Sequence, residues 1–411
     1  MVVDVDICGL KVGDEHPVRL MGVINLSKES FYKGSVVSTD SLLDVAQKMV
    51  DSGATILDIG ARSTWHLANP VIGEEEELNR MIPALDILKG NVDALISVDT
   101  VYASVAEESL KHGADIVNDV SGFTTDPRMI DVVAEYDCPA VVMASEEIPG
   151  DPIGMDAIMD CLADIISKAD SKGMDTDKLI LDPAIGKWIP EKDSIFDFET
   201  IDQFESLKVF QKPLLAAVSR KSCIDAVLHK PASERLYGSL AATAIVVHKG
   251  AHIIRTHDIP ETKDVVEVAR AMRKKEQTVR SGDFEVSIID IVHPDDAEYL
   301  MKSMGVTGTG AKVMKNKTVS KVIRVNNITT TEALIIKQEI LARGGDAALE
   351  RDAVSHETEK TDVIIIGTLL QFEKLVHKLS FQARQLPLIA EMIAEALENE
   401  MDVEHRYLRD I

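Results

Sequence analysis

Residues 214–224 read Leu-Leu-Ala-Ala-Val-Ser-Arg-Lys-Ser-Cys-Ile. Leu214–Val218 is an apolar run with the length and composition of a buried strand. Ser219-Arg220-Lys221-Ser222 then falls where a strand ends and the chain turns into a helix. In a barrel or a doubly wound α/β protein that point is the ligand-facing rim. A cation pair there suits an anion or an electron-rich ring, while a solvated surface pair is the plainer alternative. The rest of the chain decides, because polar residues stand at the ends of most of its strand-like runs.

Outward from this stretch, strand-like runs recur at Leu20–Asn25, Ile56–Ile59, Leu95–Val98, Ile116–Asn118, Ala140–Met143, Leu179–Leu181 and Ile253–Thr256. Helical patterns lie between them, at Ser41–Ser52, Glu74–Leu88, Tyr102–His112, Pro127–Glu135, Met155–Lys172 and Gly238–Lys249. Three end in a basic residue close to a glycine, at Gly113, Gly173 and Gly250, which is the signature of a helix stop. Eight strand–helix units over about 260 residues fit a (β/α)8 TIM barrel, with a doubly wound sheet as the alternative. Residues 1–19 read as a β-hairpin with turn signals at Gly13-Asp14 and Pro17.

A barrel places its chemistry at the C-terminal ends of its strands. Asn25 follows the first run, Asp58, Ser63 and Thr64 the second, Asp99 the third and Asn118 the fourth. Asp182 follows the sixth, Arg220 and Lys221 the seventh, and Arg255 and His257 the eighth; only the fifth lacks a strong polar group. Asp99, Asn118 and Asp182 suit a heterocycle that presents several N–H and C=O groups. Arg255, His257 and Asn25 suit phosphate oxygens, although a lone histidine is equally well explained as structural. No metal triad of fixed spacing is present, and Mg²⁺ held by substrate phosphate leaves no such signature.

Composition limits the partners. The 411-residue chain has a net charge of −25, which argues against nucleic acid and means that any anion site must come from clustered cations. Cys8, Cys138, Cys161 and Cys223 are scattered without metal-ligand spacing, as expected of a reducing cytoplasm. No apolar run approaches membrane length, and Asp4 and Asp6 interrupt what would be a signal segment, so neither a membrane nor a leader is expected.

Seven ordered blocks resemble the dihydropteroate synthase family. They are Met21–Phe31, Leu57–Thr64, Ser97–Thr100, Asn118–Gly122, Leu181–Pro183, Ser219–Ser222 and Arg255–Asp258, within residues 15–275. The resemblance implies condensation of 6-hydroxymethyl-7,8-dihydropterin diphosphate with an arylamine, with release of diphosphate. It implies a pterin pocket of Asp99, Asn118, Asp182 and Lys221, and a diphosphate and Mg²⁺ site of Asn25, Arg255 and His257, with Asn25 as metal ligand. Ser63, Thr64, Arg220 and Ser222 then lie where the arylamine is held. Asp99, Lys221, Arg255 and His257 carry the catalytic roles, and a homodimer is expected. Lys28-Glu29, Arg62, Trp65-His66, Ala184 and Lys187-Trp188 depart from the family pattern. The altered loops look like the archaeal branch, some of whose members are thought to use a ribofuranosyl phosphate of p-aminobenzoate on the way to methanopterin. A pterin-dependent methyltransferase and a non-catalytic pterin-binding protein are the competing readings.

The barrel is expected over residues 1–278 and a small α+β accessory domain over 279–411. Glu285–Val292, Val319–Val325 and Asp362–Gly367 read as strands, and Thr329–Arg343, Leu369–Lys378 and Leu388–Asn399 as helices. Thr329 and Glu332 have capping-box spacing. Gly305–Lys312 lacks P-loop spacing and reads as a plain loop.

Overall fold

The computed structural model describes residues 3–26, 41–62, 72–274, 278–282, 284–354 and 357–401. The chain divides into two compact units, 1–288 and 289–411, so the division falls beyond the expected residue 278. The additional residues carry a hairpin of the first unit, described below.

The first unit opens with a hairpin, β1 (Asp4–Ile7) and β2 (Leu10–Gly13). Its turn is at Cys8-Gly9, both at positive φ, not at Gly13-Asp14 as the sequence suggested. Strands and helices then alternate: β3 (Arg19–Asn25), α1 (Leu42–Asp51), β4 (Ile56–Gly60), α2 (Glu74–Leu88), β5 (Leu95–Asp99), α3 (Ala103–Lys111), β6 (Ile116–Asp119) and α4 (Met129–Glu135). β7 (Ala140–Met143), α5 (Met155–Ser171), β8 (Leu179–Asp182), α6 (Ser194–Asp202), β9 (Leu215–Ala216), α7 (Ser222–Leu228), α8 (Leu236–Lys249), β10 (Ile253–Thr256) and α9 (Ile259–Met272) complete the series. The seventh strand is shorter than its apolar run because the backbone leaves the sheet to form the turn at Arg220.

The eight strands pair in parallel in the order β8-β7-β6-β5-β4-β3-β10-β9. The two outer strands meet through a bridge between Leu181 and Leu214, beside the bond from the Leu181 amide to the Pro213 carbonyl at 2.9 Å. The sheet therefore curls into a nearly closed barrel, which excludes the doubly wound alternative. β4 and β6–β8 are buried along their whole length, as strands covered on both faces must be.

Met21, Ile56, Ile116, Val141, Ile180, Leu215 and Ile253 form one layer inside the barrel, closed below by Ile7 and Val12 of the hairpin. Burying each such side chain contributes roughly 1.5–3 kcal/mol, so this layer floors whatever lies above it. A hairpin of β11 (Thr278–Ser281) and β12 (Phe284–Ser287) ends the unit, so the strand expected over 285–292 is shorter and begins earlier.

The second unit is the α+β domain expected. It contains α10 (Pro294–Ser303), α11 (Gly308–Lys315), β13 (Ser320–Thr329), α12 (Thr330–Leu341), β14 (Asp346–Leu349), α13 (Arg351–Val354), β15 (Lys360–Thr368), α14 (Leu369–Leu379) and α15 (Leu386–Met401). The sheet order is β13-β15-β14, antiparallel, and Ile336, Ile340, Ile365, Phe372 and Leu375 pack in its core. Thr329 and Glu332 form the capping box anticipated. Gly305–Lys312 is not a plain loop: Thr307 caps α11 by accepting from the Gly310 amide, and α10 precedes it in place of a strand.

Candidate active site

Side chains two apart on a strand share a face. Above the apolar layer of Ile56, Ile116, Ile180 and Ile253, the same inward face therefore presents Asp58, Asn118, Asp182 and Arg255. On β5 the face runs Leu95, Ser97, Asp99. The result is a polar ring at the C-terminal end of the barrel, resting on an apolar floor.

Asp58 is the hub of that ring. It is completely buried and accepts from Ser97 Oγ at 2.7 Å, Asn118 Nδ2 at 3.1 Å and Arg255 Nε at 2.7 Å. Arg255 also donates from Nη2 to Asp99 at 3.0 Å. Two carboxylates thus hold one guanidinium across the barrel mouth and leave it further N–H groups for a ligand. Burial, reinforced by the neighbouring Asp58 charge, raises the Asp99 pKa despite Arg255. Asp182 is raised by burial as well, while its Oδ1 accepts from the Ala184 amide at 2.8 Å and Lys221 favours its charge.

The turn after β9 decides which cation faces inward. Arg220 has φ +58, in the left-handed region, where a non-glycine residue costs about 1–3 kcal/mol. The conformation is held by Ser239 Oγ, which accepts from the Arg220 amide at 2.7 Å, and by Arg235, which donates to the Arg220 carbonyl at 3.3 Å. Lys221 is thereby placed with Nζ 5.0 Å from the Trp188 ring centre. Burial lowers its pKa and Asp182 opposes that shift. Gly186 permits this approach: it has φ +123, and a Cβ there would lie 3.1 Å from Lys221 Nζ.

The segment after β8 is anchored from below. Lys192, 1% exposed, donates from Nζ to the Ala184 carbonyl at 2.8 Å, and Asp197 accepts from the Gly186 amide at 2.6 Å. A buried ammonium is costly unless compensated. Burial lowers the Lys192 pKa, and the Asp197 charge opposes the shift. At the end of β4, Arg62 Nε lies 4.0 Å from the fully buried Glu77, and its guanidinium lies 5.5 Å from the Tyr102 ring centre.

A family model described as pterin binding enzyme matches residues 21–257. A dihydropteroate synthase of Bacillus subtilis is 35% identical over 260 residues, covering 62% of this chain and 89% of the relative. The chain belongs to the dihydropteroate synthase family. Solved family structures agree. One from Coxiella burnetii in complex with pteroic acid is 32% identical with a TM-score of 0.57, covering 62% of this chain and 94% of that one. One from Xanthomonas albilineans with 4-aminobenzoic acid is 29% identical with a TM-score of 0.58, covering 66% and 98%.

Of the family residues anticipated from sequence, the structure gathers Asp99, Asn118, Asp182, Lys221 and Arg255 around the barrel mouth. Asn25 ends β3 beside Gly60, and Ser222 opens α7. His257 follows β10, its Nδ1 2.9 Å from Ser219 Oγ. Burial, with Arg255 and Arg220 nearby, pushes its pKa down to about 4 in the chain without ligand. Arg220 requires a correction. Its Nε and Nη2 donate to Asp258 at 2.9 and 2.6 Å, and Nη1 donates to the Ala232 and Ser233 carbonyls at 2.8 and 3.0 Å. It braces the turn that presents Lys221 and is engaged by these partners instead of facing an arylamine. Ser63 and Thr64 lie outside the described residues, as do Lys28, Trp65 and His66. Asp58 was placed at the end of the second strand from sequence but given no role, and Lys192, Asp197 and Glu77 were absent from the anticipated set. For Asp58 the signal was present, since it stands two residues after Ile56 on the inward face.

Proposed function

We propose that this chain is a dihydropteroate synthase. It joins the amino nitrogen of p-aminobenzoate to the methylene carbon of 6-hydroxymethyl-7,8-dihydropterin diphosphate, in folate biosynthesis. The C–N bond forms as the C–O bond breaks, diphosphate leaves with the electron pair, and the arylamine gives up a proton. The observation that carries this reading is the inward ring of Asp58, Asp99, Asn118, Asp182, Lys221 and Arg255 over an apolar floor. A flat heterocycle with several donors and acceptors matches such a ring, and Arg255 lies beside it for the leaving group.

In this reading Asp182 accepts two N–H groups from the amidine-like edge of the pterin, and Asn118 supplies an amide. Lys221 and Arg255 balance the diphosphate charge, and Asp99 stabilises cation-like character at the methylene. The Asn25 amide oxygen is a hard donor suited to Mg²⁺, which would take its remaining ligands from diphosphate and water. Such an ion would polarise the leaving oxygens. His257 would serve as a hydrogen-bonding group beside the diphosphate, oriented by Ser219. Ser222 remains a candidate for holding the arylamine.

Arg255 weighs against the methyltransferase alternative, because methyl transfer has no diphosphate to stabilise. Exposed Lys187 on the segment after β8 supports a phosphorylated acceptor of the archaeal, methanopterin type as the second reading. Tyr237, Ile245, Val268 and Met272, exposed on the mutually packed α8 and α9, support a homodimer. Four free cysteines support a cytoplasmic site. Among the described residues no helix is long and apolar enough to cross a membrane. Diphosphate release with p-aminobenzoate and with its ribofuranosyl phosphate, measured side by side, tests the acceptor. Preference for the phosphorylated form by tenfold or more in kcat/KM would replace the first reading with the second.

A further inference from the structure

The opposite end of the barrel carries another cationic surface. A groove of about 770 Å³ lies among the start of β3, the α1–β4 connection and α9. Arg19, Lys263, Arg270, Arg273 and Lys274 line it, with Asp14, Glu15 and Glu267. Asp14 is already matched: it pairs with Arg273 and lies 3.3 Å from His252 Nε2. Burial disfavours its charge, but these two contacts outweigh that and hold the carboxyl well below the usual range.

The other four cations make no ion pair among the described residues. Arg19 donates from Nε and Nη2 to the Lys11 carbonyl at 2.9 and 2.5 Å, and Arg270 from Nη2 to the Glu15 carbonyl at 3.4 Å. Carbonyls satisfy N–H groups without neutralising a charge. Burial lowers the Arg19 pKa, and the like charge of Arg270 lowers it further. In a chain with 69 acidic and 44 basic residues, four cations around one groove without an ion pair among the described residues are unexpected. Set against Glu15 and Glu267 they leave two positive charges in excess. Thr55, also lining the groove, has a buried hydroxyl without a hydrogen-bond partner among the described residues.

We propose that this groove is a second anion site, which takes a phosphate-bearing ligand of two or more negative charges through Arg19, Lys263, Arg270 and Lys274. A dianion matches the excess charge, and the volume admits more than a lone phosphate. Free diphosphate and the phosphate arm of a nucleotide share this chemistry. The site lies at the N-terminal ends of the strands, away from the Arg255 and Lys221 rim.

The test is calorimetric titration of the full chain with inorganic diphosphate and, separately, with ADP. R270A/K274A alters one exposed residue on α9 and one just past its end, and spares Arg19, which braces the hairpin. The expected result is that at least one probe binds the wild type at a site whose Kd rises tenfold or more in R270A/K274A and is unchanged in R255A. Diphosphate at the rim reports separately, because R255A weakens it and R270A/K274A does not. The inference is overturned if both probes bind R270A/K274A as they bind the wild type, or if neither binds outside the rim.

Discussion

Asp58→Asn is the most informative single change, because one buried carboxylate organises three of the polar side chains at the barrel mouth. The amide keeps one acceptor oxygen and turns the other position into a donor. It then faces either Ser97 Oγ, or the Arg255 and Asn118 nitrogens that now share Oδ2. Breaking a buried ion pair costs about 3–5 kcal/mol; Asp99, 3.0 Å from Arg255, keeps the guanidinium partly compensated and sets the expectation near the low end, about 3 kcal/mol. For a unit of this size that lowers Tm by roughly 6–12 °C. Arg255 and Asn118 both lose their anchor, so kcat/KM for the pterin diphosphate should fall about 10–100-fold, equivalent to roughly 1.4–2.7 kcal/mol of transition-state stabilisation. Thermal unfolding and steady-state diphosphate release measure the two effects. A variant with unchanged Tm and unchanged kcat/KM would refute the hub.

Asp182→Asn presents a donor to the donor edge of the pterin and should weaken pterin binding by roughly 1.5–3 kcal/mol in calorimetry; unchanged affinity removes Asp182 from the pocket. Lys192→Met removes a buried ammonium but leaves the buried Asp197 carboxylate and the Ala184 carbonyl without it, so stability should fall by roughly 1–3 kcal/mol. Loss of its bond to the Ala184 carbonyl should raise the KM for the pterin substrate by about tenfold and leave that for the arylamine unaltered; equal effects on both would contradict a role in holding the 182–188 segment. For His257, burial and the neighbouring arginines lower the pKa from 6.5 to about 4, so the unfolded chain takes up the proton first as pH falls. The stability contributed by the neutral imidazole is complete above pH 6.5 and is lost between 6.5 and 4. His257→Asn should therefore flatten that part of the stability–pH curve, and an unchanged slope would show that His257 is not buried neutral.

The barrel was legible because parallel strands covered on both faces leave continuous apolar runs, and because helix stops punctuate the chain at Gly113, Gly173 and Gly250. Closure was not legible, since it depends on pairing between Leu181 and Leu214. Residues at strand ends, Asp58 among them, were found by position alone, and position did not show that Asp58 is the hub. The alternation of the inward face puts it in line with Asn118 and Arg255, which bond to it. Arg220 and Lys221 are adjacent and equally charged, so composition cannot separate them. A positive φ and the Asp258 ion pair turn one aside and leave the other inward. Lys192 gave no signal, because a lysine after Pro190-Glu191 reads as a surface residue and its burial arises only when α6 packs beneath the segment after β8.

The central claim is that this barrel makes a C–N bond at the expense of a C–O bond. Its most direct test is mass analysis of the products after the purified chain is mixed with 6-hydroxymethyl-7,8-dihydropterin diphosphate, p-aminobenzoate and Mg²⁺. The account predicts dihydropteroate and diphosphate in equal amounts, with both reduced together in D182N at subsaturating pterin diphosphate. Binding of the pterin without either product, or hydrolysis to hydroxymethylpterin that ignores the arylamine, would contradict it.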